Sequence, residues 1–490
     1  MFRSSRAAIA LLCAAALALA GALAATLGAS ARPGRSAAVA PTLLDWPEFG
    51  LDAQRSNATN LSPGITAANV AHLKLRTVTI PGTADNSAIY VHGAIVHGTA
   101  HDAIFVTTTY GITLAIDARN AHTLWRFTPP GIATWSGSPQ FTTASPIADA
   151  ATGFVYATSP NGLVHKLAIA DGREARGWPV RITPLPSTEK LTASLNISGS
   201  ELLASTGGYY GDAPPYVGHL VAISLAGGHI DAVFNTLCAD RRRIIDPKTC
   251  PVSDSAILSR SGPVVEPGGA RVLIATGNAP YNGSTQFGDS VIELTLPDLR
   301  RRQAYTPVDQ AKLNSTDTDL GSGSPAVLPG GLALIGGKDG LLRVLRLAAL
   351  DGQPPGGSAR TGGELQLLPT PGGAELFSTP AVWHGLVFVA DGGGTAAYRV
   401  AGRRLHQVWQ NGTHGTSPIV AGGLLYVYDM DDGGLAVYHP ASGKLITTLP
   451  VPQGHWNSPI AVDGHVIEPT GNANDHATSG ELEIFSVRGG

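Results

Sequence analysis

The chain has 490 residues, including 60 Gly and 35 Pro, and only 14% of its side chains are charged. That balance argues against both a disordered chain and a helical bundle, and suits a turn-rich all-β protein. A net charge of -3 leaves no electrostatic footprint for nucleic acid.

Residues 1–31 read as an export signal: Arg3 and Arg6 precede an Ala/Leu run, and Ala29-Ser30-Ala31 offers a small-residue cleavage site. Ala22-Leu23-Ala24 and Ala38-Val39-Ala40 are rival sites. The run is long enough to span a bilayer if left uncleaved, so a membrane anchor is the alternative. Cys13 lacks the small residue that a lipoprotein signal wants before it, and no lipid anchor is expected. The chain is therefore expected to be periplasmic or secreted. Residues 32–44 are expected to be flexible, with one domain over residues 45–490.

A short helix is predicted at Thr66–His72, followed by an alternating run, Leu73–Ile80, that has nothing local to pair with. From there a unit of about forty residues with four strand-like runs recurs, the pattern of a propeller blade. It is clearest at Thr416–Leu449, where Ser417-Pro418 opens a run through Leu424, Tyr426 and Tyr428, an Asp/Gly turn follows, and Leu435–Tyr438 begins the return. Blade one is placed at Ser87–Phe127, blade two from Ser145-Pro146 to Ile182 and blade three at Leu195–Leu237. Blade four runs from Ser261 to Tyr305. Blade five opens at Ser324-Pro325 and carries a Gly/Pro-rich insertion at Asp351–Gly363. Blades six, seven and eight open at Ser378, Thr416 and Asn457. The predicted fold is an eight-bladed β-propeller of four-stranded antiparallel blades, with Leu73–Ile80 completing the last blade and so removing an exposed edge.

Cys238 and Cys250 are the two cysteines outside the signal, and their spacing fits neither a redox Cys-x-x-Cys nor a zinc site. In an oxidising compartment they are expected to form a local disulfide.

Ala115-x-Asp117 followed by Trp125, together with the segments Trp46–Asp52 and Asn69–Lys74, resembles the quinoprotein alcohol dehydrogenases of the pyrroloquinoline-quinone (PQQ)-like repeat superfamily. The resemblance implies a cofactor site in blades four and five, built from PQQ and calcium. Thr276-Gly277-Asn278 is similar to the turn whose asparagine oxygen binds the metal, and an amide oxygen suits a hard cation. In blade eight, Thr470-Gly471-Asn472 repeats that pattern, so the alternative is a blade joint that needs Gly at positive φ. Asp317-Thr318-Asp319 looks like the family's catalytic segment, which makes Asp317 the base and Asp319 a metal ligand. Gly337-Lys338-Asp339-Gly340 resembles the turn that presents a cation, Lys338, to the quinone oxygens. The bland readings are a solvated acidic loop and a plain Asp-Gly turn.

The sequence also departs from the family. It has no adjacent cysteine pair, no tryptophan before the aspartate and no clear acidic ligand in blade three, where Asp212 is the weak candidate. Without Cys-x-x-Cys-His, no covalent haem is expected, and electrons would pass to an external acceptor. His455-Trp456, just before a blade's opening, is read as packing, with a side chain facing the central channel as the alternative; Asp429–Asp432 is read as a strand turn, and His92, His97 and His101 as lacking metal-ligand geometry. The expected activity is PQQ-dependent oxidation of a small alcohol. The rival is a non-catalytic envelope scaffold that binds protein or polymer, and a hydrolase-like propeller is a weaker third.

Overall fold

The computed structural model describes residues 42–209 and 211–487. The predicted signal, its cleavage sites and most of the segment expected to be flexible lie outside the described residues. No helix among the described residues is long and apolar enough to cross a membrane.

Alternating apolar runs separated by Gly, Asp and Asn turns fold into eight four-stranded antiparallel sheets, arranged as the blades of a propeller. Blade one, for example, comprises Ile89–Val96, Thr99–Thr107, Thr113–Asp117 and Thr123–Phe127. The ring closes as the sequence predicts. Lys74–Ile80 pairs antiparallel with Gly480–Ser486 along its whole length and becomes the outer strand of blade eight. Two elements were not anticipated. Ala58–Thr59 adds a parallel fifth strand inside blade seven, and Gln310–Ser315 forms one turn and a half of α-helix before the acidic segment. The helix predicted at Thr66–His72 is a 3-10 turn at Val70–His72.

The core is a set of wedges between neighbouring blades. Phe105, Trp125 and Val155 fill the gap between blades one and two, and Phe234, Phe287 and Ile292 that between blades three and four. Trp125 docks as its motif implies: its Nε1 donates to Ile169 O at 2.8 Å, and its ring covers Gly172, where an added Cβ would collide with it. Cys238 and Cys250 are bonded to each other.

The Ser/Thr residues that open the blades face inward, where several link one blade to the next. Ser87 N donates to Ser145 Oγ at 3.0 Å, Thr379 N to Ser417 Oγ at 2.9 Å, and Thr379 Oγ1 to Ser324 Oγ at 2.8 Å. The segment from Leu43 to Pro63 crosses the far end of the central channel, on the side where first strands turn into second strands. Its backbone bonds to Tyr90, Ala148, Val265, Val382, Val420 and Gly464, which belong to blades one, two, four, six, seven and eight. Leu43, inside the stretch expected to be flexible, is buried and donates its N–H to Ser62 O at 2.8 Å. Arg55 plugs the axis. Its fully buried guanidinium donates to Ser261 O, Leu195 O, Phe49 O and Glu48 Oε2 at 2.6–3.0 Å.

Candidate functional site

The opposite end of the channel, where each blade's first strand begins, opens into a cavity of about 590 Å³. It is lined by the loops that lead into first strands and by those joining second strands to third. Asn278, Asp317, Asp319 and Lys338 all reach it, and so does Asp212. Four segments distant in sequence thus meet at one site.

Asp319 organises the cluster. It is buried (5% exposed); its Oδ1 accepts the backbone N–H of Asn278 at 2.7 Å, and its Oδ2 lies 2.5 Å from Lys338 Nζ. Asp317 sits at φ +54°, its carboxylate exposed, with Oδ1 accepting Asn278 Nδ2 at 2.7 Å and lying 3.4 Å from Lys338 Nζ. Two glycines permit this closeness. A Cβ on Gly277 would strike the Asp319 carboxylate, and one on Gly337 would strike the backbone at Asp319 and Leu320. Gly277 is therefore required for close approach rather than for positive φ, whereas its blade-eight counterpart Gly471 has φ +111°. The two Thr-Gly-Asn copies are alike in sequence but not in physical role: Asn472 accepts Asn474 N and caps a 3-10 turn.

The charge balance is acidic. Burial works against the Lys338 ammonium, but Asp319 and Asp317 outweigh it and hold its pKa above the usual value. Asp254, on the same wall, is pushed up by burial and by Asp212, Asp319 and Asp317. Four carboxylates thus line this wall beside one ammonium. Beneath them Asp289, fully buried, accepts Leu320 N at 3.2 Å and Gln310 Nε2 at 3.1 Å, and burial pushes its pKa up to about 8. Asn278 supplies the decisive atom: its amide nitrogen is used, but its Oδ1 is buried and has no hydrogen-bond partner. A hard-oxygen acceptor left free beside surplus carboxylates fits a bound cation such as calcium, which takes carboxylate and amide oxygens together.

The facing wall was not legible in the sequence. Asp85, fully buried, receives Arg260 at 3.1 Å, His455 Nδ1 at 2.6 Å and Ala473 N at 3.1 Å. Burial would raise its pKa, but Arg260 and His455 hold it well below the usual carboxylate range. His455 stacks on Trp456 at 3.9 Å, and Trp456 stacks on Phe377 at 4.4 Å, so both rings pack as expected, and both also line the cavity. Lys190 lies over Phe141 at 4.5 Å, and burial, with Arg260 adding to it, lowers its pKa to about 7. Asp85, Lys190 and Arg260 belong to no motif and meet only through the fold. Elsewhere the sequence readings fare unevenly. Asp429 Oδ1 caps its own turn by accepting Asp431 N and Asp432 N, as expected of a strand turn, whereas His92 does meet two carboxylates, Asp102 and Asp463, contrary to expectation.

Among solved structures, the quinohemoprotein alcohol dehydrogenase of Comamonas testosteroni superposes with a TM-score of 0.67 at 14% identity, over 91% of this chain and 81% of its own. The two share the propeller fold. A europium-containing methanol dehydrogenase matches with a TM-score of 0.64 at 14% identity, covering 90% of this chain and 98% of its own. BamB of Moraxella catarrhalis matches with a TM-score of 0.53 at 12% identity, covering 84% and 99%. No protein-family model and no curated protein matches the sequence. At these identities the likeness is one of fold.

Proposed function

We propose that this PQQ-type propeller is an extracytoplasmic quinoprotein that oxidises the hydroxyl group of a small alcohol in the cavity and passes electrons to an external acceptor. The observation that carries the proposal is the free Asn278 Oδ1 among the acids. On this reading Asn278 and Asp319, with Asp212 and Asp254 behind them, would hold a hard cation such as calcium, and Lys338 would help hold the quinone. A bound quinone with its cation supplies the hydride-accepting, Lewis-acidic chemistry. Asp317, exposed to the cavity, takes the hydroxyl proton on its carboxylate, while Asn278 Nδ2 and Lys338 fix where that carboxylate points. Gly277 and Gly337 keep the two turns pressed onto Asp319.

A non-catalytic scaffold gives Asp317 and Lys338 no reason to converge. They lie 3.4 Å apart beside an open cavity, and that spacing supports the enzyme reading. The test is reconstitution of the full-length protein with PQQ and calcium. The expected results are a bound-cofactor absorbance and dye reduction with small alcohols, with dye reduction lost in Asp317→Asn. Failure to see either absorbance or dye reduction, with calcium or with a trivalent cation, would remove the reading.

A further inference from the structure

A second group of ligating side chains sits on the other face of the ring, at the seam between blades one and eight. His92 lies in a bulge of the first strand of blade one, where pairing with the second strand slips between Val91 and Ala94. The bulge turns its ring toward two carboxylates. His92 Nδ1 is 2.9 Å from Asp102 Oδ1, on the second strand of the same blade, and 2.9 Å from Asp463 Oδ2, on the first turn of blade eight. All three ligand atoms lie within 4.8 Å of one another.

The carboxylates are themselves oriented. Asp463 Oδ2 accepts Tyr90 OH at 2.9 Å, and Asp102 Oδ2 accepts Arg119 Nε at 2.8 Å while its Oδ1 accepts Gly93 N at 3.1 Å. His92 N donates to Asp45 Oδ1 at 2.8 Å, which pins the bulge. Such outer partners are what a metal site uses to aim its ligands. With His92 neutral, two carboxylates and one guanidinium leave the group negative.

We propose that His92, Asp102 and Asp463 bind a borderline divalent cation of the zinc class that ties the first blade to the last. One imidazole and two carboxylates form a three-ligand set that leaves a fourth position open to water. An imidazole nitrogen favours zinc-class ions over calcium or magnesium, which prefer all-oxygen shells. Tetrahedral bonds of about 2.0–2.1 Å would place ligand atoms roughly 3.3 Å apart, so each 2.9 Å distance from His92 to a carboxylate need open only by tenths of an ångström. The site shares no residue with the cavity and stands apart from the oxidation reading.

The test is calorimetric titration of Zn²⁺ into metal-free full-length protein carrying Asp317→Asn and Asp319→Asn, which disables the cavity cluster. One equivalent is expected to bind and to raise the melting temperature. Adding His92→Gln or Asp463→Asn should weaken binding by at least tenfold and abolish the thermal shift, and Arg119→Gln should weaken it about tenfold. Co²⁺ in the same background should give a visible band that His92→Gln removes. The His92 side chain is 41% exposed, so its variant is expected to fold even if Asp463→Asn does not. No zinc binding in this background, or binding indifferent to His92→Gln, would overturn the assignment.

Discussion

Lys338 Nζ stands 2.5 Å from Asp319 Oδ2, and both side chains are mostly shielded from water. The ammonium is the internal counter-charge of a cluster whose acids outnumber it. Lys338→Met should therefore destabilise the protein by about 2 kcal/mol, below the range for a fully buried pair because Asp317 remains hydrated. Added calcium should recover part of that loss, since it supplies the missing positive charge. Thermal unfolding of wild type and variant, with and without calcium, checks both statements.

Asn278→Ala separates ligation from folding. It removes one side-chain hydrogen bond, worth about 1 kcal/mol, and deletes the oxygen that has no protein partner. The expected result is a melting temperature close to wild type and calcium affinity reduced at least tenfold. Calorimetric titration measures it, and undiminished affinity would place the cation elsewhere.

Asp289 gives a pH signature of defined sign. Its folded pKa is raised to about 8, so the folded state keeps a proton that the unfolded chain has lost, and stability falls as pH rises from about 4 to about 8. Asp289→Asn keeps Leu320 N bonded without carrying charge. Urea unfolding at pH 5.5 and pH 8.5 should show the variant's advantage over wild type growing by a few kcal/mol between the two.

Arg55→Met tests the plug at the closed end. The change leaves three buried carbonyls and Glu48 without their donor and should cost about 3–5 kcal/mol. Cation binding in the cavity should be unchanged in protein that still folds. Denaturant midpoints read the first effect and calorimetry the second.

The wheel was legible because its blades repeat. Ser417-Pro418 and its counterparts mark where each inner strand begins, and Leu73–Ile80, without a local partner, had to close the last sheet. Asn278, Asp317, Asp319 and Lys338 were legible because each lies in a turn with family likeness. Asp85, Lys190 and Arg260 were not, since their meeting depends on how far each loop rises above its blade, and no spacing encodes that. The same limit hid the seam cluster: His92 could be paired with nearby histidines by eye, but Asp463, its partner, is brought in only by closure of the ring. The Gly277 and Gly471 turns carry a further lesson. Identical tripeptides serve close approach in one blade and backbone curvature in another, and the backbone angle together with the neighbour, Asp319 or Thr83, distinguishes them.

The strap formed by Leu43 to Pro63, with Arg55 at its centre, turns a potential tunnel into a blind well. On the proposed oxidation, alcohol and electron acceptor would share the one open mouth and would have to take turns at it. Steady-state rates measured against both should give parallel reciprocal lines, the fingerprint of a ping-pong cycle, rather than lines that converge.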